Sequence, residues 1–319
     1  MSKQLYTSVT NTSGIISVTV AQNYNTPSAS AEIATHSTSL EIGDAANIVL
    51  GYVGDTAQVL TGYVKSIERN IPEDTYIIVV NDVMVRAIDY FVASSNPNAP
   101  FTRSQVDAED LIADLMALAG LTNYNGGTTN FIYGWTVPVE VNLVGCYEYC
   151  NQLSNMLAWH LWADSSGVIQ FQDRKPYIMG GDSASATIND NSNILKISTV
   201  KSDDDLRNRV VVYGANGIFA EATSSSAYLP AGYYKTVVLS SAYVDQQVHA
   251  NTAATENLAK WNRLRDVVYI DIEGDPNIEA RDIIHLTESN LSIDDDYFVY
   301  GLQHRLDASG FVTSLELRK

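Results

Sequence analysis

The sequence predicts a mainly β protein with an α/β insert: two similar antiparallel β-barrel modules flanking a middle α+β domain. Three observations carry this. Alternating β-branched and polar runs crowd both ends of the chain, clear helical periodicity is confined to the interior, and the end runs recur in matching order and spacing. The divisions fall at residues 1–92 for the first module, 93–200 for the insert, 201–245 for a connecting β region with a polar loop, and 246–319 for a helix plus the second module.

In chain order, Ile15 to Val20 alternates as a strand with one buried face, Asn23-Tyr24-Asn25-Thr26-Pro27 makes a turn, and Ser30 to Thr35 starts another strand. Gly43-Asp44 precedes the apolar runs Ile48 to Leu50, Thr61 to Ile67 and Thr75 to Val80, which complete the first module. Val83 to Phe91 reads as a short helix, and Ser94 to Pro100 as a linker by composition.

The insert opens with a helix. Ser104 is placed to cap it with Asp107 three residues on, and Leu111, Ile112, Leu115, Leu118 and Ala119 line one face. Asp107, Glu109 and Asp110 suit the positive end of its dipole, and Gly120 ends it. A loop with Gly126-Gly127 and the extended run Trp135 to Val141 follow. A second helix, Cys146 to Trp159, carries the stripe Cys146, Cys150, Leu153 and Leu157. Its cysteines share one face and are favoured as two buried small hydrophobes rather than a disulfide. Asp164 to Gly167 turns into the strand Val168 to Phe171. From Asn193 the pattern returns to β, reaching Val210 to Gly214, and Glu221 to Ala227 is a polar loop with Tyr228, Tyr233, Tyr234 and Tyr243 around it. Gln246 to Arg265 reads as a helix with Val248, Ala254, Leu258 and Trp261 inward.

The C-terminal strands are Val267 to Glu273, Asp282 to Leu286, Tyr297 to Leu306 and Phe311 to Arg318, with turns at Gly274-Asp275-Pro276-Asn277 and Asp307-Ala308-Ser309-Gly310. They match the first module. Asp44 to Gly62 is 62−44 = 18 positions and Asp282 to Gly301 is 301−282 = 19; Gly62 to Thr75 is 13 and Gly301 to Thr313 is 12. This spacing predicts that the two segments superpose, with Gly62 equivalent to Gly301.

These segments carry a family resemblance. Gly43-Asp44 through Asp82, the strand Asp203 to Gly214, Asp275-Pro276 followed by Asp282, and Tyr300-Gly301 with His304 and Gly310-Phe311 resemble in order the late control protein D group of phage tail baseplate hubs, which is similar to the hub part of the VgrG spike. One departure stands out: Glu279-Ala280-Arg281 replaces a stretch where the family has glycine. The resemblance implies a structural hub of the tail tip or baseplate, a homotrimeric ring of six β modules joining the tail tube, or a distal tail protein, to a central spike. A tape-measure protein is a further implied partner, the virion the implied location, and host cytoplasm the place of assembly. The positions that carry the modules are Asp44, Gly62, Pro276, Asp282, Gly301 and Gly310.

Composition agrees with an assembly role. The 319 residues carry a net charge of −18, from 37 Asp and Glu against 19 Lys and Arg, which opposes specific nucleic-acid binding. Charged residues are only 18%, and 19 tyrosines outnumber 7 phenylalanines, a balance that suits half-exposed strands and interfaces as well as ordinary strand surface. No run approaches the roughly 20 apolar residues that would span a bilayer, and the first residues lack the apolar core of a signal peptide. Nucleophile-elbow, phosphate-loop, zinc-protease and dinucleotide motifs are absent from the sequence, so the reading is no enzyme, no cofactor and no metal. His36, His160, His249, His285 and His304 are scattered; only His285 and His304 are placed to meet, across the last sheet, and satisfied strand histidines are the favoured reading. Asp203 to Asp205 and Asp294 to Asp296 read as solvated loop charges. A cell-wall hydrolase and a carbohydrate-binding tail protein are the alternatives.

Overall fold

A computed structural model describes residues 3–96, 99–190, 194–226 and 228–319. Pro97 and Asn98 of the expected linker, Asn193 at the expected return to β structure, and Ala227 of the polar loop lie outside these residues.

The first module has six strands: β1 (Leu5–Val9), β2 (Thr12–Asn23), β3 (Ser30–Thr38), β4 (Ala45–Tyr52), β5 (Asp55–Asn70) and β6 (Thr75–Asp82). Their hydrogen-bonded order is β1-β4-β5-β6-β3-β2, antiparallel throughout. Because successive side chains on a strand point to opposite faces, Val18, Val20, Ile33, Ile48, Leu50, Ile78 and Val80 reach one core, around which the sheet curls.

The second module repeats this order strand for strand: Ala186–Ile188, Ile283–Glu288, Ile293–Asp307, Gly310–Arg318, Arg265–Glu273, Ile194–Ser202. These take the places of β1, β4, β5, β6, β3 and β2. One difference is that Ala186–Ile188 runs parallel to its neighbour, whereas β1 is antiparallel to β4. The repeat extends to side-chain rows. Across four strands Ile67, Ile78, Ile33 and Val18 lie in register in the first module, as Leu302, Leu315, Ile270 and Ile197 do in the second. The boundary drawn at residue 200 falls inside Ile194–Ser202, a strand of the second module's sheet. Asp294 to Asp296 are not loop charges. They lie in the strand Ile293–Asp307, facing Thr287, Leu286 and His285.

Between the modules, α1 (Val85–Asp89), α2 (Ala108–Leu118), α3 (Cys146–Leu157) and α4 (Gln247–Trp261) share one core with short strands of the insert. α2 begins later than Ser104 suggests: Val106-Asp107 is held extended by pairing with Ile132-Tyr133, which leaves Asp107 as the N-cap residue. Leu111, Ile112 and Leu115 are buried as expected, but Met116 completes the face and Leu118 is exposed. Gly120 follows the helix at φ +78°, with Leu121 N–H donating back to Met116 O. Cys146 and Cys150 are free and buried. On α4 the buried face is His249, Ala250, Ala253, Ala254 and Asn257, while Val248 is exposed. Small residues let this helix sit close to the sheet formed by Arg209–Tyr213, Phe219–Thr223 and Thr236–Ser240, and Val210, Val212 and Ala220 of that sheet enter the insert's core. Phe219–Thr223 thus turns the start of the expected loop at Glu221 into strand. Among the described residues no helix is long and apolar enough to cross a membrane.

Candidate assembly interface

The turn that enters each module is the same local structure. In Glu41-Ile42-Gly43-Asp44 the Asp44 carboxylate accepts the Glu41 N–H at 2.8 Å, Asp44 N–H donates to Glu41 O, and Gly43 and Asp44 bond the backbone of Val64. In Glu279-Ala280-Arg281-Asp282 the corresponding bond is 2.9 Å, Asp282 N–H donates to Glu279 O, and Arg281 and Asp282 bond Val299. Asp44 and Asp282 are therefore the same position in two modules. The shared residue before them has positive φ, +91° at Gly43 and +83° at Arg281. A side chain in that region costs backbone strain, so the arginine is held by its surroundings.

Those surroundings are the seam between the modules and the insert. The Arg281 guanidinium lies 4.9 Å from the Trp162 ring centre, and its Nε is buried without a hydrogen bond. Arg174, whose Nη2 donates to Arg281 O at 2.7 Å, is paired with Asp182. Asp82, at the end of β6, is buried and accepts from Ser28 Oγ, Ala29 N–H and Met84 N–H. Burial pushes its carboxyl up to about 6, against those hydrogen bonds and the charge of Arg281. Burial likewise pushes Arg281 down to about 10, opposed by Tyr24 and Asp82. His160, stacked on Tyr24 at 4.0 Å, is kept neutral by burial and by Arg281, Lys260 and Arg174. Of this group the sequence pointed only to Arg281, as a residue standing in for glycine.

Val64 and Val299 being equivalent fixes the rest of the register. Gly62 then matches Tyr297, and Gly301 matches Ser66, so the expected match of Gly62 with Gly301 is four residues out. The two glycines have different reasons. A Cβ on Gly62 would stand 1.9 Å from Asn81 O, because β5 and β6 touch there backbone to backbone. On Gly301 it would meet the Asn23 amide nitrogen at 2.9 Å, the end of a side chain. Gly310 ends the hairpin Asp307–Gly310 at φ +136°, with open space beside it. Pro276 lies in the turn where Asp275 N–H donates to Thr313 Oγ1 and Asn277 N–H to the Asp275 carboxylate.

His285 and His304 are not brought together. His285 faces Asp296 across the sheet, with Nδ1 2.8 Å from its carboxylate, and that bond raises its basicity. His304 is buried farther along the strand, its Nδ1 2.9 Å from Thr313 Oγ1, and burial lowers its pKa to about 4. Among the described residues no group of three or more His, Cys, Asp or Glu is arranged to hold a metal ion.

The modules join edge to edge. β2 pairs antiparallel with the C-terminal half of Ile293–Asp307, Val18 opposite Leu306 and Asn23 opposite Gly301. Leu306 and Phe311 enter the first module's core. Besides the outer edges of β1 and Ala186–Ile188, two edges that correspond to this joint lack a partner strand among the described residues. One is Ile194–Ser202, at the end of the sheet, which takes the place of β2. The other is the Ser66–Asn70 half of β5, on the side away from β6, which takes the place of the Gly301–Arg305 segment that receives β2. Leu195, Val200 and Ile71 are exposed along these edges; Ile71, 78% exposed, matches Leu306, 6% exposed.

Solved structures share this architecture. A tail protein from Neisseria meningitidis matches with a TM-score of 0.75 at 14% identity, over 99% of this chain and 97% of its own. The chain has the fold of a phage tail protein. The 43 kDa tail protein of prophage MuSo2 from Shewanella oneidensis shares the tail-protein fold with a TM-score of 0.70 at 12% identity, over 100% of this chain and 98% of its own. So does an E. coli component of the type VI secretion system, described as structurally similar to the bacteriophage T4 tail proteins gp27 and gp5, with a TM-score of 0.63 at 7% identity over 98% of this chain and 76% of its own. No family model matches the chain. No curated protein matches it either. The resemblance read from the sequence is thus borne out at the level of fold, which is the level such identities support.

Proposed function

We propose that this chain is a non-enzymatic hub of a phage tail tip or baseplate, assembling as a closed homotrimer that presents six β modules in a ring. The observation that carries this is the pair of vacant edges. They are the structural equivalents of the two edges already joined inside the chain, so repeating the internal joint between copies is a head-to-tail contact that can close. In that joint Ile194–Ser202 of one copy pairs with Ser66–Asn70 of the next, Thr199 opposite Arg69, as Val20 lies opposite His304 within the chain. Two modules per copy and three copies give the six-fold to three-fold adaptor that the family resemblance implies, with the tail tube or a distal tail protein on one side, the spike on the other, and a tape-measure protein as a further partner. Virion tail is the corresponding location.

The register makes the test sharp. With Thr199→Cys and Arg69→Cys in one chain, mild oxidation should give an interchain disulfide and a ladder that stops at three copies. Shifting one cysteine to Glu41 should abolish it, and Ile71→Asp should shift the unlinked protein to monomer in light scattering. No cross-link, or a ladder running on past three, would sink the ring. Zymograms on peptidoglycan should stay blank; a cleared band would favour the hydrolase.

A further inference from the structure

A cavity of about 530 Å³ lies where the first module, the insert, α4 and the second module meet. Its charge is opposite to that of the chain. Lys260, Arg263, Arg265, Arg318 and Lys319 line it, and Asp205 is the one acid among the lining residues. Thus 5 of the chain's 19 Lys and Arg face one cavity beside 1 of its 37 Asp and Glu. Some of these cations are neutralised: Arg318 by Glu316 at 2.8 Å and Asp205 at 3.4 Å, and Lys319 by Asp295. Lys260 and Arg263 have no carboxylate partner among the described residues. They rest on rings instead, Arg263 3.5 Å from the Tyr177 centroid and Lys260 between Trp261 and Tyr24 at 5.5 and 5.9 Å. Burial and the nearby Lys175 lower the Lys260 ammonium to about 8. An uncompensated ammonium so placed is costly, and a bound carboxylate would relieve it.

We propose that this cavity binds a short acidic segment of a protein partner, its carboxylates paired with Lys260 and Arg263. The planar guanidinium of Arg263 suits a carboxylate, and Val237, Leu239, Leu264 and Pro176 give the walls an apolar part that fits a peptide rather than a bare ion. A long polyanion is disfavoured, because it would have to lie along a chain carrying −18. The site does not depend on the ring proposed above.

The test is calorimetry on the full chain at low salt with a capped tetraglutamate peptide, with inorganic phosphate as the second titrant. The peptide should bind, more weakly as salt rises, and phosphate at least tenfold less well. Arg263→Gln, a change at an exposed position, and Lys260→Met should each weaken the peptide tenfold or more, while Arg69→Gln on the far hairpin should leave it unchanged. The proposal is overturned if the wild type does not bind the peptide, if phosphate binds as tightly, or if a folded Arg263→Gln chain, checked by its melting curve, binds as before.

Discussion

Arg281 and His304 show how single residues in this chain are set by packing. Arg281 occupies a left-handed position that its counterpart, Gly43, fills without strain, and it is held by Trp162 and the charge of Asp82. His304 is buried neutral. Its folded pKa of about 4 lies below the ordinary 6.5, so its contribution is fully present above pH 6.5 and is lost as pH falls toward 4. The size is roughly 3 kcal/mol for such a shift. Asp82 works in the other direction: its folded value is raised to about 6, so its contribution is present below the ordinary 3.8 and is lost as pH rises through 6. The wild type therefore shows a partly cancelled acid response. Replacing His304 by Asn, whatever it costs in absolute stability, should flatten the loss between pH 6.5 and 4 in urea melts. An unchanged slope would mean that the histidine is not buried neutral.

At the scale of elements, the long strands do two jobs. β5 pairs with β4 along its first half and with β6 along its second, and Ile293–Asp307 does the same with Ile283–Glu288 and Gly310–Arg318. Where β5 changes partner, Gly62 lets the backbones touch. Gly62→Ala should therefore cost more than about 2 kcal/mol, since the obstacle is main chain and cannot rotate away. Gly301→Ala should cost under about 1 kcal/mol, because the Asn23 amide can turn aside. Denaturant unfolding of the two variants checks the order, and equal costs would contradict this account of β5. The helices show how much of an element is written locally. The stripe of α3 was legible from Cys146, Cys150, Leu153 and Leu157, and all four are buried. The start of α2 was not, because the pairing of Val106-Asp107 with Ile132-Tyr133 is made by residues about 25 positions away.

For the whole molecule, charge opposes assembly. In the proposed ring three copies would carry 3 × −18 = −54 charges, so it would form against its own repulsion. Raising salt from about 10 to 150 mM shortens the screening length from roughly 30 to 8 Å. The oligomer should accordingly tighten with salt when followed by light scattering across a dilution series. Weakening with salt would mean that ion pairs rather than strand edges hold the copies together.

The sequence by itself determined the class, the order of elements and the existence of a repeat. Period-two runs, turn residues and the spacing from Asp44 and from Asp282 are local properties, set by side-chain alternation and backbone dihedrals. Only the tertiary structure decided the register of that repeat: Asp44 and Val64 are 64−44 = 20 positions apart and their counterparts Asp282 and Val299 only 299−282 = 17, so the intervening hairpin is shorter in the second module and Gly301 falls past the counterpart of Gly62. It alone decided that Ala186–Ile188 and Ile194–Ser202 belong to the last sheet, because strand pairing is made by hydrogen bonds between segments far apart in the chain. The seam around Arg281 and the cationic cavity beside Lys260 are of the same kind. Their residues come from every part of the sequence, and burial, which no single segment specifies, gives them their chemistry.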